Sequence, residues 1–274
     1  MCRLDPKINM TISFSDSPVG LDQTRRLRLL ISVYVGGIVI AELLSVWFDP
    51  LIALVMHSVL LLALVTHAAN TRPLWQQPLL SLMLYPLMRV TSLGLPVNGL
   101  PTLLQYAMVG LPVWVGIILI ARTNGLTSDM LGLKTRGKQI QWQFVFCLIG
   151  WPLGLLGTLI MHPGPVILSP TLSDTVLGII IITLFSSSLE EVVFRGILQT
   201  TLYRYLGKYG IFCVSILFAV AYFGSLSIVY VLTMGMLGLL FAWFVNRTGS
   251  LWGALIAHSL LKCGMLIIWP FLLR

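Results

Sequence analysis

The chain is short of charge. Of its 274 residues, 9% are Asp, Glu, Lys or Arg and 57% are hydrophobic, with a mean hydropathy of +0.95. Soluble domains carry about a quarter charged residues. A soluble globule, a fibre and a disordered chain are therefore excluded, and the sequence reads as a polytopic membrane protein. Cysteine is also scarce. Cys2, Cys147, Cys213 and Cys263 are scattered without a CxxC pair, and three of them lie in apolar stretches. That spacing excludes a recognisable disulfide framework and reads as small buried hydrophobes. Basic clusters interleaved with aromatics are missing, so the net charge of +8 does not point to nucleic acid. Residues 1–24 are mixed polar, with Asp5, Asp16 and Asp22, which is unlike a cleavable signal peptide. No fixed-period repeat is visible.

What is present is a series of apolar runs. Their lengths predict an all-α fold, a polytopic transmembrane helical bundle of about eight to nine spans. The predicted cores are 27–48, 51–69, 79–96, 101–121, 143–162, 174–205, 209–223, 225–246 and 250–271. Asp49-Pro50 separates the first two, and Pro96, Gly99 and Pro101 make a tight uncharged turn. The sixth run is too long for a straight crossing, since 174–205 as one helix extends about 45 Å. Ser186-Ser187-Ser188 in its middle allows a bend or a water pocket. Gly150 with Gly154, and Gly235 with Gly238, suit close helix packing. Six tryptophans, Trp114, Trp142, Trp151, Trp243, Trp252 and Trp269, read as interface anchors.

Loop charge predicts the orientation. Arg3, Lys7, Arg25, Arg26 and Arg28 precede the first span. Arg72, then Arg122, Lys134, Arg136 and Lys138, then Arg204 and Lys208, then Arg247 occupy alternate connections, and the intervening ones hold no Lys or Arg. Positive charge is retained on the cytoplasmic side, so the N-terminus is expected inside, in a multi-pass plasma (inner) membrane protein. The expected divisions are a cytoplasmic tail, 1–26, variable front helices, 27–170, and core helices, 171–274.

The chain has only three glutamates, and two are adjacent in Glu190-Glu191-Val192-Val193-Phe194-Arg195-Gly196. A carboxylate in hydrocarbon costs several kcal/mol unless paired, protonated or wet, which makes such a residue a functional-site hypothesis. Glu191 and Arg195, four apart, share a helix face in the favourable acid-first order and read as a pair that supports the helix. Glu190 points about 100° away and lacks that partner, so it is the better candidate for chemistry. In the last span His258 and Lys262 also share a face. A buried lysine needs an acid, and Arg195 already suits Glu191, so Lys262 is expected to approach Glu190. Glu42 and Arg89, intramembrane charges in the first and third spans, are expected either to pair or to line a polar path. His57 and His67, ten residues apart, are too distant for one metal.

At these residues the chain resembles the CPBP intramembrane proteases, the family of the type II CAAX prenyl endopeptidases and the bacterial Abi-like proteins. Glu190 to Gly196 match its EExxxR(G) motif. Phe218-Ala219-Val220-Ala221-Tyr222 stands where the family has FxxxH, and His258-Ser259-Leu260-Leu261-Lys262 where it has HxxxN or HxxxD. The resemblance covers roughly 174–271 and keeps motif order and spacing. It implies an intramembrane endopeptidase in which Glu190 activates a water to hydrolyse a peptide bond of a membrane-associated substrate, of CAAX or peptide-processing type. It assigns His258 as the retained histidine, with Tyr222 and Lys262 as altered site residues and Glu191 with Arg195 as helix support. A divalent metal such as zinc, if held, would fall to Glu190 and His258, two ligands where zinc sites use three or more.

Tyr222 and Lys262 depart from the family pattern. A phenol, with a pKa near about 10, is a poor base at neutral pH. A lysine ammonium beside Glu190 weakens it as a base but suits a developing oxyanion. The alternative expectation is therefore a catalytically inactive relative, a scaffold or a subunit of a larger membrane complex. Expected partners are the lipid bilayer with a membrane-associated peptide or protein substrate, or else a partner membrane protein. A transporter is the weakest reading, because no inverted repeat is seen.

Overall fold

The structure, a computed structural model, describes residues 21–134 and 140–273. Within them the chain forms helices and no strand. These are α1 Leu21–Trp47, α2 Pro50–Ala69, α3 Pro73–Leu82, α4 Leu84–Gly94, α5 Thr102–Thr123, α6 Ile140–Met161, α7 Leu172–Leu206, α8 Lys208–Ser225, α9 Ile228–Thr248 and α10 Trp252–Leu272. All but α3 and α4 are long and apolar enough to cross a membrane, eight in total. The protein is a multi-pass helical bundle. Most of the expected tail, with Cys2, Arg3 and Lys7, and the loop cations Arg136 and Lys138 lie outside the described residues.

Local chemistry sets the breaks. The Asp49 side chain accepts from the Leu51 N–H at 2.7 Å with Pro50 opening α2, the usual use of a cap and an N-terminal proline. Thr171 caps α7 and Ser227 caps α9 in the same way, and Gly249 ends α9 at φ +66°. The expected third span, 79–96, differs. The helix starts earlier, at Pro73, and breaks at Met83. Pro86 has no N–H for the Leu82 carbonyl four residues back, so the ladder is interrupted there.

Contacts between connections show which helix ends lie together. The Leu251 N–H donates to Gly132 O at 2.8 Å, and Trp252 Nε1 to Leu133 O at 2.9 Å. Thr200 Oγ1 donates to Met130 O, and Gln77 at the start of α3 exchanges hydrogen bonds with Asn124 at the end of α5. This end carries Arg72, Arg122, Lys134, Arg204, Lys208 and Arg247. At the opposite end Val166 N–H donates to Leu266 O. The connections there, 95–101, 162–171 and 226–227, hold no Lys or Arg.

Burial is uneven. In α10 61% of the apolar window is buried, in α7 and α9 50%, and in α2 and α5 only 22%. α7 touches α3, α5, α8, α9 and α10, and is the axis of the bundle. The front helices are joined by a second charge cluster. Glu42 of α1 lies 2.6 Å from Arg89 Nε of α4 and 3.2 Å from His57 Nε2 of α2, and accepts from Tyr85 at 3.1 Å. Glu42 and Arg89 thus meet, and His57 is drawn to Glu42 and not to His67, which bonds Tyr34 instead.

Helix α6 lies against α10 through glycine. A Cβ on Gly150 would sit 2.0 Å from the Ala257 carbonyl oxygen, and one on Gly154 2.8 Å from that of Leu261. Both obstacles are backbone, so neither yields cheaply. Gly150→Ala is expected to cost about 1–3 kcal/mol and to lower the thermal unfolding midpoint in detergent. Gly164→Ala, with open space around it, serves as the control and should leave the midpoint unchanged.

Candidate active site

Helix α7 is not a regular α-helix where the acids sit. Thr183–Ser187 and Val192–Gln199 are wound as wider π-turns, with one α-turn, Ser188–Glu191, between them. Such widenings are rare and concentrate at functional sites. Two of the three serines, for which a bend or a water pocket was expected, lie in the first of these π-turns. Both glutamates sit in the α-turn, where adjacent side chains point about 100° apart, so they reach separate sets of partners.

Glu191 is fully buried and meets α10 through His258. Its Oε1 accepts from Arg195 Nη1 at 3.1 Å and lies 2.7 Å from His258 Nδ1. Arg195 is buried as well. Its guanidinium lies 3.8 Å from the centre of the Phe218 ring and donates to the Gly238 carbonyl at 3.5 Å. A planar, weakly hydrated cation suits this position, where ring faces and a backbone oxygen replace water. The adjacent Gln199 ties α7 to α9 by donating to Ala242 O at 2.8 Å.

Glu190 is partly exposed, at 18% of its side chain. Both of its oxygens are engaged. Lys262 Nζ of α10 donates to Oε1 at 2.5 Å, and the Tyr222 hydroxyl of α8 donates to Oε2 at 2.7 Å. His258 Nε2 lies 3.7 Å from Oε2, beyond hydrogen-bond length. Lys262 also donates to Ser186 Oγ at 2.8 Å. Side chains from α8 and α10 therefore converge on one carboxylate in the middle of α7. Charge-assisted bonds of this kind are short and strong.

All six singled-out residues, Glu190, Glu191, Arg195, Tyr222, His258 and Lys262, lie in this one cluster, and Lys262 does reach Glu190. Two features were not foreseen. His258 hydrogen-bonds Glu191 and only approaches Glu190, so Glu191 orients the histidine as well as pairing with Arg195. Ser186 belongs to the cluster too. The signal for it was available, since Ser186 lies four residues before Glu190 and shares its face. Ser187 instead bonds the His258 carbonyl. Ser188 helps to line an apolar groove of about 360 Å³ with Trp114, Ile118, Val192 and Leu255, and Glu190 is not among its walls.

The donor set does not fit a catalytic metal. Glu190 and His258 supply two ligands, Tyr222 takes the place of a third, and Lys262 already occupies Glu190 Oε1 with a cation. Among the described residues no three His, Cys, Asp or Glu side chains are grouped to hold a metal ion.

The cluster falls inside a recognisable segment. Residues 172–263 match the family model of the type II CAAX prenyl endopeptidase Rce1-like proteins. In that segment the chain is similar to the Rce1-like family. The match begins at the first residue of α7 and ends one residue beyond Lys262, so it contains the whole Glu190 cluster and none of the front helices. Searches of curated proteins and of solved structures gave no match. The match covers about a third of the chain, and eight of the helices are long and apolar enough to cross a membrane.

The Glu191–Arg195–His258 group makes a distinct prediction. Arg195→Met strands a buried carboxylate and should cost about 3–5 kcal/mol. Glu191→Leu combined with Arg195→Met removes both charges and should recover much of that loss. Thermal unfolding of the two single variants and the double variant in detergent measures the coupling.

Proposed function

We propose that the protein is an Rce1-like intramembrane endopeptidase centred on Glu190, cleaving a peptide bond of a membrane-associated substrate. One observation carries the reading. Polar groups from two other helices, α8 and α10, converge on a single carboxylate in the middle of an apolar span, inside the segment that matches the family. An isolated acid would be costly there. A helix lock would need one partner, and Glu191 with Arg195 already provides it. Glu190 serves the proton of the hydrolytic water, Tyr222 is a hydroxyl donor for the oxyanion, and Lys262 is a positive charge beside it. Glu191 holds the His258 ring in place.

A second reading is favoured by a specific contact. With Lys262 at 2.5 Å on one oxygen and Tyr222 at 2.7 Å on the other, both oxygens of Glu190 are engaged within the protein. The same geometry would serve a non-catalytic relative that acts as a membrane scaffold or a subunit of a larger complex.

The variant Glu190→Gln separates the two. It keeps size and one carbonyl acceptor and removes the carboxylate's charge and basicity. Membrane peptides and their termini are compared by mass spectrometry between cells carrying wild type and variant at equal abundance. For the peptidase, a wild-type terminus disappears and its precursor accumulates. Unchanged termini would favour the scaffold.

The same reading places the protein in the plasma (inner) membrane with its N-terminus in the cytoplasm, because the cation-bearing end of the bundle faces inward. In a cysteine-free background, cysteine at Gly164 should react with an impermeant maleimide in intact cells. Cysteine at Thr127 should react only after permeabilisation. The reverse pattern would invert the orientation.

A further inference from the structure

We propose that the groove beside α7 binds one anionic phospholipid, with its phosphate at Arg122 and an acyl chain along the apolar walls. The groove is separate from the Glu190 cluster, and binding there needs no peptidase activity.

The groove holds about 360 Å³ between α5, α7, α10 and the connection that follows α5. Its lining side chains are apolar except for Arg122 and Ser188, with the Trp114 indole N–H donating to the Leu184 carbonyl at 3.1 Å. That bond ties α5 to α7 at the deep end. Both helices run toward the cation-bearing end of the bundle, so depth can be counted along them. Ile118 and Ser188 lie one turn on from the bond, and Arg122 and Val192 two turns on. Arg122 is thus about 12 Å along α5 from Trp114. Ile118 is 47% exposed, so the groove is open sideways, to the bilayer.

The charge at its mouth selects the head group. Ion pairs among the described residues engage Arg26, Arg89, Arg195 and Lys262, and leave Arg122 exposed without an acid. Asp129, the one acid in residues 124–134, is exposed and forms no ion pair either. Lys134 follows the wall residue Leu133, and Arg204 reaches Met130 of the same connection at 3.9 Å. A guanidinium without a carboxylate suits a phosphate, which it can bind through two N–H groups at once. Basic pockets between membrane helices on the cytoplasmic side take anionic head groups for this reason.

Ser188 fits the next part of the same molecule. It is 7% exposed, and its hydroxyl has no hydrogen bond among the described residues. It lies one turn, about 6 Å, deeper than Arg122, on the side where a glycerol ester follows the phosphate. An ester carbonyl there accepts from a hydroxyl that hydrocarbon alone would leave unpaired. Ser188 points about 200° round α7 from Glu190, and Glu190 is not among the walls. A chain in the groove therefore lies across α7 from the candidate catalytic carboxylate, where the prenyl chain of a substrate would be misplaced.

The test places the full-length protein in phosphatidylcholine nanodiscs containing phosphatidylglycerol with a diazirine in its acyl chain. Illumination and peptide mapping then read where the chain lies. Label is expected at Ile118, Val192 and Leu255, about fivefold above that from phosphatidylcholine carrying the same diazirine. Arg122→Gln should erase this preference and keep the neutral lipid's label. Arg72→Gln, at the same end but outside the groove, should leave the preference intact. Ser188→Ala should lower the label of both lipids alike, because the ester is common to them. Ile118→Trp fills the groove and should remove both labels at an unchanged unfolding midpoint. Equal label from the two lipids, or a preference that survives Arg122→Gln, means annular lipid only and overturns the proposal. Displacement of the label by a farnesylated peptide assigns the groove to the substrate and overturns it as well.

Discussion

An acid in hydrocarbon must find its hydrogen bonds from neighbouring helices, and this chain has two such acids in sequence. Glu190 and Glu191 point in different directions from α7, and α10 reaches both, with His258 on Glu191 and Lys262 on Glu190. Glu191 draws in Arg195, His258 and, through the guanidinium, the Gly238 carbonyl of α9. Glu190 draws in Tyr222 of α8 and Lys262 of α10. The most buried helices are therefore arranged around an electrostatic requirement, while apolar contacts fill the space between. With no hydrophobic force between helices in lipid, polar links and close packing fix their relative positions.

The front helices obey the same rule in a simpler form. Glu42 gathers Tyr85 and Arg89 from α4 and His57 from α2. The two charged centres are connected by a series of ring contacts. Tyr85 meets Phe194 with ring centres 6.1 Å apart, Phe194 meets Phe218 at 5.2 Å, and Phe218 meets His258 at 5.9 Å. The front half thus packs against the matched segment through rigid aromatic contacts while lying outside the family match. Its clamp joins α1, α2 and α4 alongside buried apolar side chains such as Ile31, Ile38, Leu64 and Leu84.

Lysine and tyrosine in place of the family's amide or acid and histidine alter the chemistry open to the site. A histidine and an amide would leave the carboxylate free to take a proton from water. The residues present bind both oxygens instead, and bring an amine within reach of a serine. The departures from the family pattern coincide with the contacts of Glu190, so they define its present environment.

Much of this was set by sequence. Apolar runs of about 20 residues fix the spans, because the bilayer allows few other structures. The spacing of four residues put Glu191 with Arg195, and His258 with Lys262, on shared faces. Scarcity of acids left Glu190 as the partner for Lys262. Pro86, the reason α3 and α4 part at Met83, was in plain view, but the weight of the apolar run suggested one span. Other features depend on distances between helices that spacing does not encode. That His258 turns to Glu191, that Glu42 collects His57 and Tyr85 along with Arg89, and that Lys262 bridges Glu190 to Ser186 are outcomes of packing. The π-turns of α7 shift the register between serines and glutamates by a fraction of a turn. Sequence determined which residues needed partners; only the tertiary structure decided which partners they found, because a buried polar group binds the nearest group that the packed backbone brings within about 3 Å.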